Sequence, residues 1–591
     1  MSFFAGLEIA SSAIRTQRQL ITMIQHNIAN ASTPGYSRQT GSVQASNPFA
    51  TPSMFSPTGP LQIGTGSQLV DVTRMRLETL EQAYRNETQV QANASATRSL
   101  MEQVETIFGE PGTSGFAESL NDFFEALSSL ASQPDSLTHR NNLLQEANLL
   151  TGRLRTLNND IQAVVSQINT QVNDRVTEIN TLLDKIADLN KQIRLVRAAG
   201  DQANDLEDRR DATLVELSKL INIQVVKKSD GSSYVYNGGM FLVSDDTVKP
   251  LTTFIDVNGR RQVRFADGNA VSLTEGELAG IINARDVQIG LTTTAGSILN
   301  QLNTLATNII TEINNRHRNG YDLNNVTGSL FFSGTDLSTI GVAITDPRGV
   351  AASVATLTST TNMNNLFRTI NPTQDLSVGI ASNDYATVPV AGTFTIDTGG
   401  GGVVFTYALT DSIDDIVNMI NNNTTVGVTA RFDTTSQKIV LARDTSENPP
   451  PGGGATITVT NGTSNFTNWT QLAGAVSTTG SAGDNTNINT IFNLSTQAVL
   501  GLTNQTFAVY YSNLVTQVGQ TSSNAIRQDD AEKLVLQQLD KQRESNSGVN
   551  LDEEALSLIK AQQGFNASAR ALTALDEMLN RIINGMGRVG L

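Results

Sequence analysis

Both ends of this chain carry helical stripes that have no partner where they stand. Near the N-terminus Leu7, Ile14, Ile21 and Ile28 recur every seven residues, and Ala10, Gln17, Ile24 and Ala31 each follow three residues later. That alternation is the a/d seam of a coiled coil. Near the C-terminus Leu551, Ala555, Leu558, Gln562, Phe565, Ala569, Leu572, Asp576 and Leu579 keep the same spacing, with Ile559, Leu575 and Ile582 widening the stripe. An amphipathic helix cannot bury its own stripe, so each end needs the other end or another subunit. An intramolecular pair is the simpler reading. The placement of both stripes at the extremes, and the small or polar seam residues Ala10, Gln17, Gln562 and Ala569, which leave room for further helices, favour assembly. Leu7, Ile14, Ile21, Ile28, Leu551, Leu558, Phe565, Leu572 and Leu579 are the expected assembly interface.

Between the ends the pattern predicts a nested, multidomain α+β chain. A first helix over about 4–30 stops at Ser32-Thr33-Pro34-Gly35, where proline removes a donor and fixes φ. Residues 37–70, with Pro48, Pro52, Pro57 and Pro60, read as an extended linker ending in a short strand. Helical period returns at Asp71 through Val72, Met75, Leu80, Tyr84 and Val104 to Phe108, and Gly109-Glu110-Pro111-Gly112 ends it. Phe116, Leu120, Phe123, Phe124, Leu127 and Leu130 predict a short helix stopped by Pro134. A far longer one follows, from Leu143 through Ile179, Leu182 and Ile186 to Val196, roughly 80 Å at 1.5 Å per residue. Asp205 to Asp211 reads as acidic residues opening another helix, with Leu214, Leu217 and Leu220 on its apolar face.

Alternating runs from Val225 to Phe265, divided by Gly, Asn and Asp turns, predict a small β domain. Helix is expected to resume at Leu278 and continue through Ile289 and Ile298 to Ile313. Within the Thr-, Gly- and Asn-rich stretch 325–495, runs at 392–397, 403–407, 412–420, 426–430, 438–441 and 455–459 predict a ββαββ-type module, with Pro449 to Gly454 as a loop tip. Helix takes over again near Thr506. The expected domains are 1–45 with 546–591 as a terminal coiled-coil domain; 46–220 with 276–324 and 496–545 as a long-helix rod; 221–275 as the small β domain; and 325–495 as β-rich outer domains, the ββαββ insertion lying at about 380–475.

Composition narrows the chemistry. Lys and Arg number 40 against 56 Asp and Glu, a net charge of −16, which argues against nucleic acid or an anionic membrane as partner. There is no cysteine, hence no disulfide or thiolate site. The N-terminus has no basic segment and Glu8 interrupts its apolar run, so no cleaved signal peptide is expected, and no stretch approaches the ~20 apolar residues of a membrane helix. His26, His139 and His317 are far apart, so no metal site is expected. Gly399 to Gly402 lacks the Lys-Ser/Thr of a phosphate loop and reads as a hairpin turn. Asp529-Asp530 and Asp552-Glu553-Glu554 read as helix N-terminal charge, and the sequons at Asn461, Asn465 and Asn468 as chance in an Asn/Thr-rich chain. No catalytic residue and no cofactor is expected.

Three blocks carry a resemblance. Asn27-Ile-Ala-Asn30-Ala-Ser-Thr33-Pro34-Gly35-Tyr36-Ser-Arg-Gln39 directly follows the first heptads; Arg316-His317-Arg318-Asn-Gly320-Tyr-Asp322-Leu precedes Phe331-Phe332; and Ser547-Gly-Val-Asn-Leu-Asp-Glu-Glu554 leads to Gln562-Gln563, Phe565 and Ala567-Ser-Ala-Arg570. In this order they resemble the bacterial flagellar axial proteins of the rod and hook class, and the Gly-Tyr-Ser-Arg-Gln ending is similar to their hook-associated members. The ββαββ module is similar to an insertion found in flagellins and hook proteins. The resemblance implies a secreted, non-enzymatic structural adapter joining hook to filament in the extracellular flagellum. It implies export by the flagellar type III route, and terminal segments that fold into a coiled coil on joining a ring or helical layer of identical subunits. It also implies hook protein on one side, a second junction protein on the other, and an export chaperone on the C-terminal helix. Asn27, Asn30, Thr33, Pro34, Gly35 and Tyr36 then form a lattice-contacting turn. Another axial subunit, a hook protein or flagellin-like chain, and an adhesin or enzyme carried by the outer insertion remain the alternatives.

Overall fold

The computed structural model describes residues 2–47, 64–109, 115–290, 296–366, 368–399, 401–444, 456–477 and 480–586. Pro48, Pro52, Pro57, Pro60, Glu110-Pro111-Gly112 and Pro449 to Gly454 lie outside them. The first helix, α1 (Ser2–Ala29), is followed by two antiparallel strands, β1 (Gln39–Ala45) and β2 (Ser67–Arg74), which pair from Gln39 opposite Arg74 to Ala45 opposite Ser67 with one bulge. The expected linker therefore begins as a strand. Val72, placed by its spacing at the start of a helix, lies in β2, Met75 lies in the turn after it, and α2 begins only at Glu78 (Glu78–Phe108). The β-branched Val70, Val72 and Thr73 suit a pleated ladder better than a helical turn.

Helices α3 (Phe116–Ser132) and α4 (Leu137–Ala198) follow. The six apolar residues expected on α3 are all buried. Along the 62-residue α4, Leu143, Leu150, Leu154, Ile161, Ile168, Val172, Ile179, Leu183, Ile186 and Ile193 are completely enclosed. Leu183 takes the place expected of Leu182, because the four-and-three step from Ile179 lands on 183 and 186. Next come α5 (Asn204–Leu220) and six short strands: β3 (Gln224–Lys227), β4 (Ser233–Asn237), β5 (Met240–Ser244), β6 (Thr247–Val248), β7 (Leu251–Ile255) and β8 (Arg261–Phe265). They form a four-stranded sheet, β3 to β6 in order, and a β7–β8 hairpin.

The helix expected to run from Leu278 to Ile313 is divided. Helix α6 (Glu277–Asn283) unwinds into a π turn over Ala284–Ile289, and α7 (Ile298–His317) starts anew. Gly290 between them has φ +74°, and a Cβ there would lie 1.8 Å from the Ser297 side chain, so the chain turns away at a residue that only glycine fits.

Short strands β9 (Phe332–Ser333), β10 (Gly341–Val342) and β11 (Thr356–Thr358) and helix α8 (Leu376–Ala381) lead to β12 (Gly392–Asp397), β13 (Val403–Tyr407), α9 (Ile413–Asn421), β14 (Val428–Asp433), β15 (Lys438–Arg443) and β16 (Thr458–Asn461). The strand and helix order is that of the predicted module, but the strands part into two sheets, β13-β12-β16 and β11-β15-β14. Ser412 and Asp415 cap α9 reciprocally. Phe394 stacks on Phe466 with ring centroids 3.7 Å apart, and the one tryptophan, Trp469, donates from Nε1 to the Tyr407 hydroxyl at 2.7 Å. The chain closes with α10 (Phe466–Trp469), α11 (Thr486–Phe492), α12 (Phe507–Ser547) and α13 (Leu551–Met586). The fold is thus the expected mixture of helices and sheets in nested order. The chain falls into two discontinuous units, one of 1–101, 166–285 and 522–591, the other of 102–165 and 286–521.

In the second unit the block around His317 is a corner held by side chains. Asn314 accepts from the Phe331 and Phe332 amides, both at 2.9 Å, and donates to the Phe332 carbonyl at 2.8 Å. His317 is fully enclosed: Nδ1 meets the Ser329 carbonyl at 2.8 Å while Nε2 accepts the Ala351 N–H at 2.9 Å, so the ring is neutral with its proton on Nδ1. Burial pushes His317 down to about 4, against the smaller opposing pull of Ser329 and Asp322. Protonation must break the Ala351 bond. Stability from this corner is therefore present above the ordinary histidine value and lost as pH falls from about 6.5 toward 4. Denaturant unfolding of the wild type and a His317→Gln variant at pH 7 and pH 4.5 should differ by an acid-induced loss approaching about 3 kcal/mol that only the wild type shows.

Candidate assembly site

Helices α1 and α13 pack against each other in antiparallel order. Gly6 faces Leu575, Gln17 faces Gly564 and Asn27 is hydrogen-bonded to Glu554, so each step forward on α1 is matched by an equal step back on α13. The contact is close: a Cβ on Gly564 would lie 2.9 Å from the Gln17 amide carbon. Ala10, Thr16, Ile24 and Asn27 of α1 and Glu554 and Ala561 of α13 are buried. Thr16 also donates to the Ser67 carbonyl of β2 at 2.9 Å. Leu7, Ile14, Ile21, Ile28, Leu558, Phe565, Leu572 and Leu579 are half-buried, whereas Leu551 is exposed, as are the seam positions Ala555, Gln562 and Asp576. Glu554 and Ala561, one polar and one small, are the enclosed residues of α13 among those described, and Gly564 is half-buried like Leu558, Phe565, Leu572 and Leu575 beside it. Leu551, Leu556, Ile559, Met578, Ile582 and Ile583 are all exposed, Leu556 by 60 %.

At the base of this pair the turn 27–38 is a hub. The Asn27 side chain is fully enclosed and fills its whole bonding capacity. Its nitrogen donates to the Gln39 carbonyl at 2.9 Å and the Glu554 carboxylate at 3.1 Å, and its oxygen accepts from the Gln39 N–H at 3.0 Å and the Tyr36 hydroxyl at 2.8 Å. The Tyr36 hydroxyl gives its one proton to Asn27, so its 3.0 Å partner, His26 Nδ1, carries the hydrogen of that bond. Burial first, then Asp205, Asp208 and Glu554, push the Tyr36 phenol well above its usual range and keep it protonated. Asn30 donates to the His26 carbonyl at 3.0 Å and accepts from Thr33 at 3.2 Å, closing the helix end. Gly35 has φ +80° and its missing Cβ would stand 3.4 Å from that of Ala212 on α5, which lets the chain turn there and run on to Ser37. Ser37 then donates from N and Oγ to Asp208 at 2.9 and 2.8 Å. Pro34, Gly35 and Tyr36 also border an open cleft of about 1300 Å³ shared with Lys541, Arg543 and the corner at Gly548.

Charge holds the hub to its neighbours. Arg38 bonds Glu554 at 2.7 Å and Glu553 at 2.8 Å, and its N–H meets the Ser547 carbonyl at 2.9 Å. Below it, Arg74 pairs with Glu207, with Asp208 at 2.7 Å and with Asp211 at 3.2 Å, while Arg76 pairs with Glu81 at 2.7 Å and with Asp208 and Asp211, both at 3.2 Å. Burial resists ionisation of Asp211, yet Arg76, Arg210, Lys227 and Arg74 together outweigh it and hold the carboxyl far below its usual range. Glu207, Asp208 and Asp211 thus serve as buried ion partners, and of the three only Glu207 lies in the first turn of α5, Asp211 standing well inside the helix. Asp529-Asp530 lie in the middle of α12 rather than at a helix start, and Asp529 is enclosed against Gln91 and Arg98. Asp552 and Glu553 do open α13, their N–H groups turned to the Asn550 side chain.

What the periodicity did not reveal is the polar half of the site: Glu554, Arg38, Arg74, Arg76 and Asp208. Arg74 and Arg76, two apart where β2 gives way to a turn, with Glu207-Asp208 and Asp211 on α5, were the available signal. Among the described residues no cluster of His, Asp or Glu has a metal-holding arrangement, and no helix is long and apolar enough to cross a membrane. Shape and paired charge hold α1 and α13 together here.

A family model described as the helical domain of flagellar hook-associated protein FlgK matches residues 101–332, and one described as the flagellar basal body rod FlgEFG protein C-terminal matches 541–585. Flagellar hook-associated protein 1 of Bacillus subtilis (strain 168) is 25% identical over 587 residues, covering 99% of each chain. Proteins of the same description from Salmonella typhimurium and Escherichia coli (strain K12) are 26% and 24% identical, with 98% of each chain covered. The solved structure of the flagellar hook junction protein FlgK from Burkholderia pseudomallei shares the fold, with a TM-score of 0.56 at 16% identity, covering 79% of this chain and 100% of that one.

Replacing Asn27 by Ala strips Gln39, Tyr36 and Glu554 of enclosed partners at once, and should cost about 3 kcal/mol in denaturant unfolding. In a Glu554→Gln background the same change should cost about 1 kcal/mol less, since the two side chains are coupled.

Proposed function

As the chain belongs to the family of flagellar hook-associated protein 1, a structural component of the bacterial flagellum, we propose that it is the adapter subunit that joins hook to filament by polymerising through its terminal domain, 1–45 with 546–591. One observation carries the reading: α1 and α13 approach closely where Gly6 meets Leu575, Gln17 meets Gly564 and Asn27 meets Glu554, and a set of large apolar side chains on α13 is left exposed. Exposed aliphatics repeated along a helix are the surface that further helices bury. In the proposed arrangement these side chains meet neighbouring copies in a ring or helical layer. Hook protein packs on one side and a second junction protein on the other, and the turn at Asn27 to Tyr36 touches the lattice. Before assembly the same side chains are where an export chaperone holds the C-terminal helix. The small β domain takes no part in these contacts.

Leu556→Asp with Ile559→Asp tests this, because both side chains are exposed in the single chain. The variant should fold with unchanged circular dichroism and thermal midpoint, yet be absent from flagella and leave cells without filaments. Ile21 and Leu572 are poorer probes, since they are half-buried and an acid there would also disturb the α1–α13 pair. A tag in the turn at Val257, which is fully exposed, should appear in electron micrographs as one narrow band between hook and filament. Label along a whole segment would make the chain a bulk subunit instead.

A further inference from the structure

Helices α2 and α12 run side by side in antiparallel order, and the pairs at the two ends of their shared seam match acid to base. Toward one end Arg543 of α12 bonds Glu81 at 2.9 Å and lies over the Tyr84 ring at 4.1 Å. Toward the other, Asp529 accepts from Arg98 at 3.1 Å and Gln91 at 3.0 Å on α2 and from Lys533 at 2.5 Å on its own helix. Between these clusters Glu87 meets Glu532, carboxyl to carboxyl. Glu87 Oε1 is sealed from solvent and receives no hydrogen bond from a donor. Two ionised carboxylates have no hydrogen to share, so the contact is a bond only when one of them is protonated.

Neighbouring charges are committed elsewhere. Asp529 and Lys533 hold each other, Arg98 also takes Asp530 at 3.1 Å, and Arg85 turns to Glu78 at 3.0 Å. The loop before α6 presents Glu275, which accepts from Asn93 at 2.9 Å. The influences on Glu87 are its own burial and Glu532, with no cation among them.

We propose that Glu87 and Glu532 hold one shared proton and act as a clasp between α2 and α12, tight in mildly acidic surroundings and loosened as they turn alkaline. Burial, then the hydrogen bond and charge of Glu532, push Glu87 up to about 7. The folded chain therefore keeps a proton that the unfolded chain has already released. The stabilisation is full below the ordinary carboxyl value and is lost as pH rises through about 7. His317 has the opposite dependence, but above its ordinary value of 6.5 it is neutral whether folded or unfolded. The interval from about pH 6.5 to 8.5 thus isolates the clasp from that corner.

Hydrogen exchange of the full-length chain, read by mass spectrometry on peptides from 81–95 and 525–540 and corrected for the intrinsic pH dependence of exchange, tests the proposal. Protection of both segments should fall about fourfold between pH 6.5 and 8.5, the part of the linkage that a group at about 7 loses over that interval. In Glu87→Gln, whose amide mimics the protonated acid in shape, and independently in Glu532→Gln, protection should hold within about twofold over the same interval. Flat protection in the wild type, or an undiminished fall in both variants, would overturn the clasp.

Discussion

The terminal end of the molecule depends on one enclosed ion, Glu554, and on what surrounds it. A carboxylate almost completely removed from water is costly unless its charge and lone pairs are met, and breaking such an arrangement costs more than making it gains. Arg38 supplies the charge and Asn27 the second hydrogen bond. Asn27 is in turn tied to the first residue of β1 by a bond in each direction, so the end of α1, the start of β1 and the start of α13 occupy one relative position. Apolar packing alone would let two small-residue helices slide by a turn. A saturated amide against a buried acid permits one register. Behind it the Arg74 and Arg76 cluster anchors β2 to α5, giving the hub a firm base.

This division of labour explains which residues suit which task. Small side chains bring α1 and α13 close, polar ones set their alignment, and large aliphatics are left over. On an ordinary globular helix that surplus would be a liability for solubility, and in the proposed assembly it is the surface that neighbouring copies cover. The same economy appears in the second unit, where Asn314 and His317 bond backbone rather than other side chains and so fix a corner that has little regular structure of its own.

Much of this was legible in advance and some was not, for physical reasons. Period is a local property, so the α3 and α4 stripes and the strand sequence from Gly392 to Arg443 could be read from spacing, as could the mixed helical and β character of the chain. Phase is not local. The alternation at 551–579 tells that a helix has a stripe, but whether the partner meets Leu551 and Ala555 or Glu554 and Ala561 is decided by what approaches. Strand β1 has only Val43 as a large apolar residue and becomes a strand through β2, more than twenty residues onward. The break at Gly290 was hidden by apolar residues that keep helical spacing on both sides of it. Glu554 was the hardest to read, because an acid in a first turn needs no further explanation, and only the fold shows that this one is enclosed.

The connectivity of the two units has a consequence for how the chain reaches this structure. The second unit has all its segments once residue 521 is in place, whereas the first waits for 522–591. The bond from Asn27 to Glu554 spans 527 residues of chain, so its loop-closure entropy is among the largest this polypeptide can incur. Such contacts form late and slowly. A newly made chain therefore passes through a stage in which its second unit is native while both ends are free, and helix α13 is the last element to find its place.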